Sequence, residues 1–320
     1  MPKGKHIEDL VADLLAHRPP RAKSLIVTIF GDAIAPHGGT VWLGSLIALL
    51  APFHINERHV RTAVLRVSRE GWLASRQIGR RSFYSLTDDG RQRFEDAHRR
   101  IYAFEPALWA GEWHIVFVGQ GNLSAAERGS LKRELNWQGF GNFGAGVLAH
   151  PSADPQALRN VLNSLGVSGR VAIMLAKNNA LASENAMCEL VRNAWDLDSL
   201  SDAYRGFLDR FQPIGRALAA GGAADPAVSF LIRVMAIHEY RRVLLRDPRL
   251  PETLLPEAWA GAAARRLCQE IYRRAAGPAE RYLKSLLKGP DGPLPDAQGY
   301  FYRRFGGIEG RAPIEASATV

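Results

Sequence analysis

Residues 56–86 constrain the fold more than any other part of the sequence, because a basic helix is followed at once by a helix stop and a basic hairpin. Asn56 is a suitable N-cap for the helix, and Gly71 is a suitable residue to end it. Between them, apolar residues recur at the spacing of one helical side: Val60, Ala63, Val64 and Val67. The pattern therefore predicts an amphipathic helix with one buried side.

The opposite side of this helix is basic. It carries Arg58, Thr62 and Arg69, flanked by Arg61 and Arg66. A β-type run over residues 72–77 then turns through residues 78–81 into a second run over residues 82–86. The sequence therefore predicts a two-stranded hairpin with a cationic tip.

The order of helix, stop and hairpin is typical of a winged helix that binds duplex DNA. A helix fits the major groove, where a guanidinium group can donate two hydrogen bonds to one guanine, and arginines on the hairpin can neutralise flanking phosphates. The alternative is a solvated cationic helix followed by an ordinary hairpin, because charged runs usually face water. On the DNA-binding interpretation, Arg58, Arg61, Thr62 and Arg66 contact the groove, and Arg76, Arg80 and Arg81 contact phosphates or the minor groove.

The distribution of charge also indicates a polyanionic partner. The chain has 320 residues, enough for two or three domains with substantial cores, and a formal net charge of +9. Residues 1–87 hold 12 Lys and Arg against 6 Asp and Glu, and residues 227–288 hold the same numbers. Two separate basic regions suit nucleic acid or a phosphorylated small molecule.

Other classes of protein fit the sequence less well. The longest strongly apolar run, Val41–Ala51, is far shorter than the about 20 residues of a membrane-spanning helix. The charged N-terminus lacks the apolar region of a secretory signal, so we expect a cytoplasmic protein without a membrane partner. Cys188 and Cys268 lie far apart, and we expect two small core residues rather than a disulfide or a zinc site.

Helices are predicted on both sides of the basic segment. Apolar residues at helical spacing between Ile7 and Leu15 predict a short amphipathic arm that is available to a partner. Ser24 is expected to open a helix that runs to Ile34, and Thr40 to cap a helix over residues 41–50. The charged segment Thr87–Ile101 has few large apolar residues, which suits a strut between domains.

The middle of the chain alternates strands with helices. A buried strand is predicted over residues 113–118, a helix capped by Ser124 and Glu127, a strand over residues 146–149, a helix over residues 155–165, and a buried strand over residues 171–175. This order predicts a small α+β layer of the ferredoxin-like type.

The last third of the chain is predicted to be helical. Asp225 and Pro226 form a suitable helix start, and residues 227–238 contain a single charge, Arg233, so this helix is expected to be central to its domain. Another helix is predicted over residues 262–288. The tail is rich in Gly, Pro and Ala and is expected to be loose.

Two enzyme motifs match only in part. Residues 139–144 have the glycine spacing of a dinucleotide fingerprint, but they follow a helix and lead into a strand, which is the reverse of the required order. His238 and Glu239 begin a zinc-peptidase motif, but Arg242 stands where the second His ligand belongs. We therefore expect no enzymatic activity, no metal and no cofactor.

Taken together, these segments resemble the PaaX family of bacterial repressors. The resemblance rests on Leu25–Gly31, Arg58–Arg66 and Glu70–Leu73 at the front, on Trp113-His114 and Gly139–Gly141 in the middle, and on Trp195–Leu197, His238–Arg242, Asp247–Pro251 and Leu254–Gly261 at the end. The last block is the most specific. The resemblance as a whole covers the chain from about residue 24 to residue 288.

The resemblance implies a repressor of phenylacetic acid breakdown, released from operator DNA by phenylacetyl-CoA or a related aryl-CoA thioester. It implies an α+β multidomain fold and a homodimer on a roughly palindromic operator. The predicted organisation is an N-terminal helical arm (1–23), a winged-helix DNA-binding domain (24–88), a linker helix (89–106), a ferredoxin-like domain resembling a CRISPR-associated nuclease (107–180), a mostly helical effector-binding and dimerisation domain (181–290) and a flexible tail (291–320).

The effector would need cationic groups beside aromatic walls. We assign this role to His238, Tyr240, Arg241, Arg242 and Arg246, with Trp195 and Trp259 as wall residues. The alternative is that the arginines bond nearby carboxylates or carbonyls while the tryptophans fill the core.

Three other functions stay open. One is a nucleic-acid-processing enzyme that uses the ferredoxin-like domain. Nucleases of that type place an Asp at the end of the first strand, where this chain has Val118, Gly119 and Gln120, so metal-dependent cleavage is not expected. The others are a regulator of a different aromatic pathway with another acyl-CoA effector, and a scaffold that uses the basic surface for a protein partner.

Overall fold

The structure is a computed structural model that describes residues 6–102, 109–119, 123–177, 184–221 and 225–308. The chain divides into two compact units. Unit 1 comprises residues 1–104, 205–242 and 262–320, and unit 2 comprises residues 105–204 and 243–261. In the described part of the chain, no helix is long and apolar enough to cross a membrane.

The elements follow one another in three groups. The first group is α1 (Ile7–His17), α2 (Ala22–Ile29), β1 (Thr40–Trp42), α3 (Leu43–Leu50), α4 (Glu57–Arg69), β2 (Leu73–Ile78), β3 (Arg81–Leu86) and α5 (Asp88–Tyr102). The second is β4 (Glu112–Phe117), α6 (Ala125–Trp137), β5 (Gly141–Gly144), β6 (Val147–His150), α7 (Pro155–Ser164), β7 (Ala172–Lys177) and α8 (Glu184–Trp195). The third is α9 (Leu197–Ala219), α10 (Pro226–Leu244), α11 (Ala260–Leu286), the short strands β8 (Lys288–Gly289) and β9 (Gly292–Pro293), and α12 (Gly299–Tyr302).

Helix α4 forms as the sequence predicts. The Asn56 side chain accepts a hydrogen bond from the His59 backbone N–H, and Gly71 has a φ of 78°, which ends the helix. The four apolar residues of its inner side are all buried: Val60, Ala63, Val64 and Val67. Helix α2 packs against this helix.

The hairpin is part of a three-stranded antiparallel sheet with the order β1-β3-β2. Ile78 pairs with Arg81, so Gly79 and Arg80 form a two-residue turn. Strand β1 corrects one prediction, because Thr40 begins a strand instead of capping a helix over residues 41–50. The Thr40 hydroxyl donates to the Ser85 hydroxyl at 2.9 Å, and helix α3 begins only at Leu43.

Helices α1 and α5 pack within unit 1, which differs from the predicted free arm and strut. Helix α1 buries one apolar side formed by Ile7, Val11, Leu14 and Leu15. In α5, the Phe94 ring meets the Trp72 ring edge-on at 5.7 Å, and Ile101 and Tyr102 are buried. The few apolar residues of α5 share one side of the helix. This side packs within unit 1, and the opposite side is exposed. Residues 103–106 of the predicted linker helix lie outside the described residues.

A buried ionic network lies inside unit 1 and centres on Asp32. This residue sits in a π-helical turn, Phe30–Ile34, that follows α2. Its carboxylate accepts hydrogen bonds from the Arg233 Nε at 2.8 Å and from an Arg304 guanidinium nitrogen at 3.0 Å. The hydroxyls of Tyr102 and Tyr272 also donate to it, at 2.7 and 2.8 Å. The single charge in the apolar segment 227–238 is therefore buried with a matching anion.

The network continues to Glu280 of α11, which binds the other end of the Arg233 guanidinium at 2.5 Å and the His37 ring at 3.0 Å. Arg233 and its neighbours hold the pKa of Glu280 at about 2, against the effect of burial. Two carboxylates thus face two guanidinium groups, so the buried charges balance. A buried ion pair is tolerated only when hydrogen bonds replace the water of its charged groups, and here both carboxylates are hydrogen-bonded, whereas the buried Arg304 Nε has no partner within the described residues.

The segment 291–308 is ordered within unit 1, although a flexible tail was predicted from residue 291. Phe301, Arg304 and Phe305 are buried, and the Arg304 guanidinium lies over the Tyr102 ring at 4.2 Å. Arg304 attaches this Gly- and Pro-rich segment to the interior of unit 1 through its contacts with Asp32 and Tyr102. Residues 309–320 of the predicted tail lie outside the described residues.

Unit 2 contains a four-stranded antiparallel sheet with the order β5-β6-β4-β7. Ser124 and Glu127 form the predicted capping box at the start of α6. Helices α6 and α7 share a core with the sheet that includes Val116, Leu131 and Leu158. A second cluster surrounds Trp113 and contains Val191, Leu197, Leu250 and Leu254.

Two predictions of burial in unit 2 are wrong. Strand β7 was expected to be buried, but it is the edge strand of the sheet, and Ile173, Met174 and Leu175 are exposed. Cys188 is exposed on α8, whereas Cys268 is buried as expected. An apolar run identifies a strand without revealing whether a neighbour covers it.

The network predicts a large loss of stability when Asp32 is replaced. In Asp32→Asn, Arg233 and Arg304 share one carboxylate, so we expect the free energy of unfolding to fall by about 3–5 kcal/mol. Urea unfolding followed by circular dichroism measures this loss. Asp89→Asn, an exposed residue of α5, is the control. Adding Arg304→Met to Asp32→Asn restores the charge balance, so the double variant should lose less than the sum of the two; strict additivity would contradict the network.

Candidate DNA-binding surface

The exposed side of α4 carries a narrow stripe of long side chains. At about 100° per residue, Arg58, Thr62, Leu65 and Arg69 lie within one-sixth of a turn of each other, and Arg61 and Arg66 flank them. All six are exposed. The stripe lies opposite the buried valines, so the packing of α4 fixes its direction.

Most cations of this surface have no counter-ion in the part of the chain that the structure describes. Arg61 pairs with Glu57 at 2.6 Å, one turn earlier on the helix. Within the described residues, Arg58, Arg66 and Arg69 make no ion pair. Exposed pairs such as Arg61–Glu57 contribute little energy, so this arginine can also turn to another anion. The helix therefore presents a charged surface to solvent.

The hairpin extends the same surface. Arg76, Arg80 and Arg81 are exposed. The Arg81 guanidinium lies 4.8 Å from the centre of the Trp42 ring, and this ring covers Gly44, where a Cβ would come within 2.4 Å of it. Arg81 is therefore held in place by a cation–π contact.

The end of α4 and the base of the hairpin are joined by hydrogen bonds. The Thr87 hydroxyl donates to the Gly71 carbonyl at 2.5 Å, and the Thr87 N–H donates to the Trp72 carbonyl at 3.1 Å. The structure thus brings the predicted groove residues and the predicted wing residues together in one rigid substructure.

Sequence reasoning missed two apolar side chains on this surface. Leu65 is 46% exposed on the arginine stripe, and Ile78 is 39% exposed beside the hairpin turn. The spacing of seven residues between Arg58 and Leu65 is about two helical turns, so the sequence alone places Leu65 on the same side of α4 as Arg58. An exposed apolar side chain among arginines suits contact with a thymine methyl group.

Three predicted effector residues are part of the interior of unit 1. The His238 ring bonds the Thr28 hydroxyl at 2.9 Å, and Tyr240 packs against Phe207 at 5.6 Å between ring centres. The Arg241 guanidinium donates to the Ser24 carbonyl at 3.0 Å. His238 and Arg241 thus attach α10 to α2, and Tyr240 packs α10 against α9, in line with the alternative that the sequence left open.

The other four predicted effector residues lie elsewhere. Arg242 is exposed and pairs with the buried Glu239 at 3.0 Å. Trp195, Arg246 and Trp259 belong to unit 2, where Trp259 meets the Tyr204 ring edge-on at 5.6 Å. The Trp195 indole donates to the Gly139 carbonyl at 2.7 Å and stacks on Trp113, while Arg246 is exposed.

Burial determines the protonation of the groups on α10. Burial, followed by the charges of Arg241 and Arg242, lowers the pKa of His238 to about 3. Burial also lowers the pKa of Arg241 to about 10, so this guanidinium keeps its charge at neutral pH. His238 is therefore a neutral hydrogen-bonding partner of Thr28.

Comparisons with known proteins cover most of the chain. Residues 21–90, 106–188 and 195–285 match the family models described as PaaX-like protein, PaaX protein central Cas2-like domain and PaaX-like protein C-terminal domain. The sequence is 38% identical over 291 residues to the Transcriptional repressor PaaX of Escherichia coli strain K12, covering 91% of this chain and 92% of the relative. The chain belongs to the PaaX family.

A solved structure is similar as well. The uncharacterized protein Rv0674 from Mycobacterium tuberculosis matches with a TM-score of 0.53 and 26% sequence identity. The match covers 82% of this chain and 98% of that one. The PaaX model over residues 21–90 contains the whole arginine surface of α4 and the hairpin. Among the described residues, no group of three His, Cys, Asp or Glu side chains is arranged to hold a metal.

The lowered pKa of His238 predicts that the PaaX fold of this chain loses stability in acid. The unfolded chain binds a proton to this residue at about pH 6.5, and the folded chain only near pH 3, so stability is complete above 6.5 and falls as the pH decreases. His98, with a pKa of about 4 because of burial and Arg304, acts in the same direction.

Urea unfolding at pH 7.5, 6.0 and 5.0 tests this expectation. In His238→Gln, the loss of stability with falling pH should be smaller by up to about 1.4 kcal/mol per pH unit below 6.5. The exposed His59→Gln is the control. An unchanged pH dependence in His238→Gln would show that folding does not lower the pKa of this imidazole.

Proposed function

We propose that this chain is a DNA-binding transcriptional repressor of phenylacetic acid (aromatic) catabolism genes that acts in the cytoplasm. The observation that carries the proposal is the stripe of exposed arginines on α4 beside the basic hairpin, in which most cations have no counter-ion in the described chain. The name of the E. coli relative, a transcriptional repressor, supports it. The proposed role is regulatory and not enzymatic.

The proposed DNA-binding domain is a winged helix-turn-helix. Helix α4 enters the major groove with Arg58, Arg61, Thr62 and Arg66, and the hairpin contacts phosphates or the minor groove with Arg76, Arg80 and Arg81. Helices α2, α3 and α4 and the antiparallel sheet support this assignment. The bidentate geometry of arginine makes α4 the element that selects bases, whereas the hairpin adds affinity.

The central domain is proposed to be a ferredoxin-like scaffold. Its element order β4-α6-β5-β6-α7-β7 and its antiparallel strand order support this fold. Val118 and Gly119 follow β4 where a nuclease of this type needs an Asp, and Gln120 lies outside the described residues. We propose a homodimer, in which a second copy covers the exposed edge strand β7 by antiparallel pairing.

The DNA-binding proposal predicts different effects for the helix and the hairpin. Arg58→Ala should weaken binding to the DNA upstream of the gene for this protein by about 1–3 kcal/mol. It should also reduce discrimination between bases at one base pair. Arg80→Ala should weaken binding to all DNA sequences alike. It should also lower, by about one, the steepness with which the logarithm of the binding constant falls with the logarithm of the salt concentration. Gel shifts at several salt concentrations measure both quantities.

The control for these shifts is Arg274→Ala, an exposed arginine of α11. It removes the same charge and should leave operator binding unchanged. If Arg58→Ala and Arg80→Ala behave like this control, the surface does not contact DNA. A half-site duplex should bind far more weakly than a palindrome if the homodimer is correct.

The proposed effector is phenylacetyl-CoA or a related aryl-CoA thioester. Of the seven predicted effector residues, Arg242 and Arg246 are exposed, and each is a separate candidate for phosphate contact. In unit 1, His238, Tyr240 and Arg241 are proposed to support Arg242 from within the fold, and in unit 2 Trp195 is proposed as an aromatic wall. The effector releases DNA if it prefers a conformation in which the surface of α4 fits the operator poorly.

The effector proposal predicts that phenylacetyl-CoA lowers operator affinity by about tenfold or more, whereas phenylacetate and free CoA have much smaller effects. Fluorescence anisotropy with labelled upstream DNA measures this difference. Arg242→Gln and Arg246→Gln should keep DNA binding, and the variant that loses the response identifies the phosphate contact. Release by no aryl-CoA thioester would reject this effector class.

A further inference from the structure

Three arginines from three helices surround one buried carboxylate in unit 1. The side chain of Glu239 on α10 is only 4% exposed. It lies 3.0 Å from Arg242 on the same helix, 3.4 Å from Arg18 at the end of α1, and 3.6 Å from Arg210 on α9. One carboxylate cannot neutralise three guanidinium groups, so the cluster has a surplus of positive charge.

The surplus persists when neighbouring charges are included. Asp209 acts on Arg210 as well, but it is exposed and leaves the cluster with one positive charge more than it has negative charges. Burial and then the charge of Arg18 lower the pKa of Arg210. The Arg210 Nε is buried and has no hydrogen-bond partner within the described residues. The cluster therefore retains both unneutralised charge and an unused donor.

We propose that Arg18, Arg210 and Arg242 form a binding site for the phosphate or diphosphate group of a small molecule, and that Glu239 holds these arginines together in the free chain. Guanidinium groups bind phosphate oxygens with two parallel hydrogen bonds. Arg18 and Arg242 are 47% and 49% exposed, so a dissolved ligand can reach them. A dianionic phosphate neutralises the cluster better than one carboxylate does.

Helix α10 connects this site to the basic surface of unit 1. The residues on either side of Glu239 hold α2, since His238 bonds Thr28 and Arg241 bonds Ser24. Helix α2 packs in turn against α4. A ligand that draws the arginines away from Glu239 leaves a buried carboxylate without partners, which favours a shift of α10. This regulatory step rests on the proposed DNA binding, whereas the binding of phosphate does not.

Calorimetric titration of the full chain with pyrophosphate, at constant ionic strength set by chloride, tests the site. The unmodified chain should bind pyrophosphate, and Arg210→Gln should weaken binding by about tenfold or more, as expected for the loss of a charge-assisted hydrogen bond. Arg216→Gln, an exposed arginine on the same helix, is the matched control and should bind normally.

Glu239→Gln gives a result of opposite sign. Without the competing carboxylate, pyrophosphate should bind about tenfold more tightly, because the three guanidinium groups are left unneutralised. The melting temperature of this variant should be lower than that of the unmodified chain and should recover when pyrophosphate is added. A purely structural role of Glu239 predicts the lower melting temperature without the recovery.

Several outcomes would overturn the proposal. The site is wrong if the unmodified chain does not bind pyrophosphate at millimolar concentration, or if Arg216→Gln loses binding as Arg210→Gln does. If Arg210→Gln lowers the affinity for DNA and its salt slope without pyrophosphate, the arginines contact the DNA backbone instead. If pyrophosphate binding fails while an aryl-CoA thioester still releases the operator, the site is rejected and the proposed function stands.

Discussion

The fold of unit 1 depends on the burial of Asp32 between two arginines. A carboxylate in the protein interior is tolerated only when cations and hydrogen bonds replace its water, and Arg233, Arg304, Tyr102 and Tyr272 together provide them. Because these four residues come from α10, the C-terminal segment, α5 and α11, one charge holds distant parts of the chain in a single arrangement. The turn that carries Asp32 follows directly on α2, the helix on which α4 packs. The direction of the arginine stripe is therefore set by the same interactions.

Helix α10 takes part in two charged clusters. The first cluster is buried and its charges balance, because Arg233 pairs with Asp32 and Glu280 and Arg304 also pairs with Asp32. At its C-terminal half, His238 and Arg241 hold α2, while Glu239 gathers Arg18, Arg210 and Arg242. The first group has no spare charge, and the second has a surplus. This contrast separates a part of the fold that needs no ligand from a part that an anion would stabilise.

Features that depend on neighbouring residues in the sequence could be predicted. Features that depend on distant residues could not. Asn56 and Gly71 marked the ends of α4, and the valine spacing identified its buried side, because capping and periodicity act within a few residues. The arginine surface followed from the same pattern. Nothing local distinguishes the buried Arg233 and Arg304 from solvent-exposed arginines, because their partner, Asp32, is about two hundred residues or more away. The exposure of β7 and the strand at Thr40 were missed for the same reason, since both depend on which strand lies alongside.

The long sequence separation between Asp32 and Arg304 has a consequence for how the chain is made. Synthesis proceeds from the N-terminus, so Asp32 leaves the ribosome long before its second guanidinium partner. During that interval the helices that carry the basic surface have an interior anion without its full set of counter-charges. Contacts over such sequence separations also form slowly. Synthesis must therefore have passed residue 304 before the first hundred residues can adopt their final, stable packing.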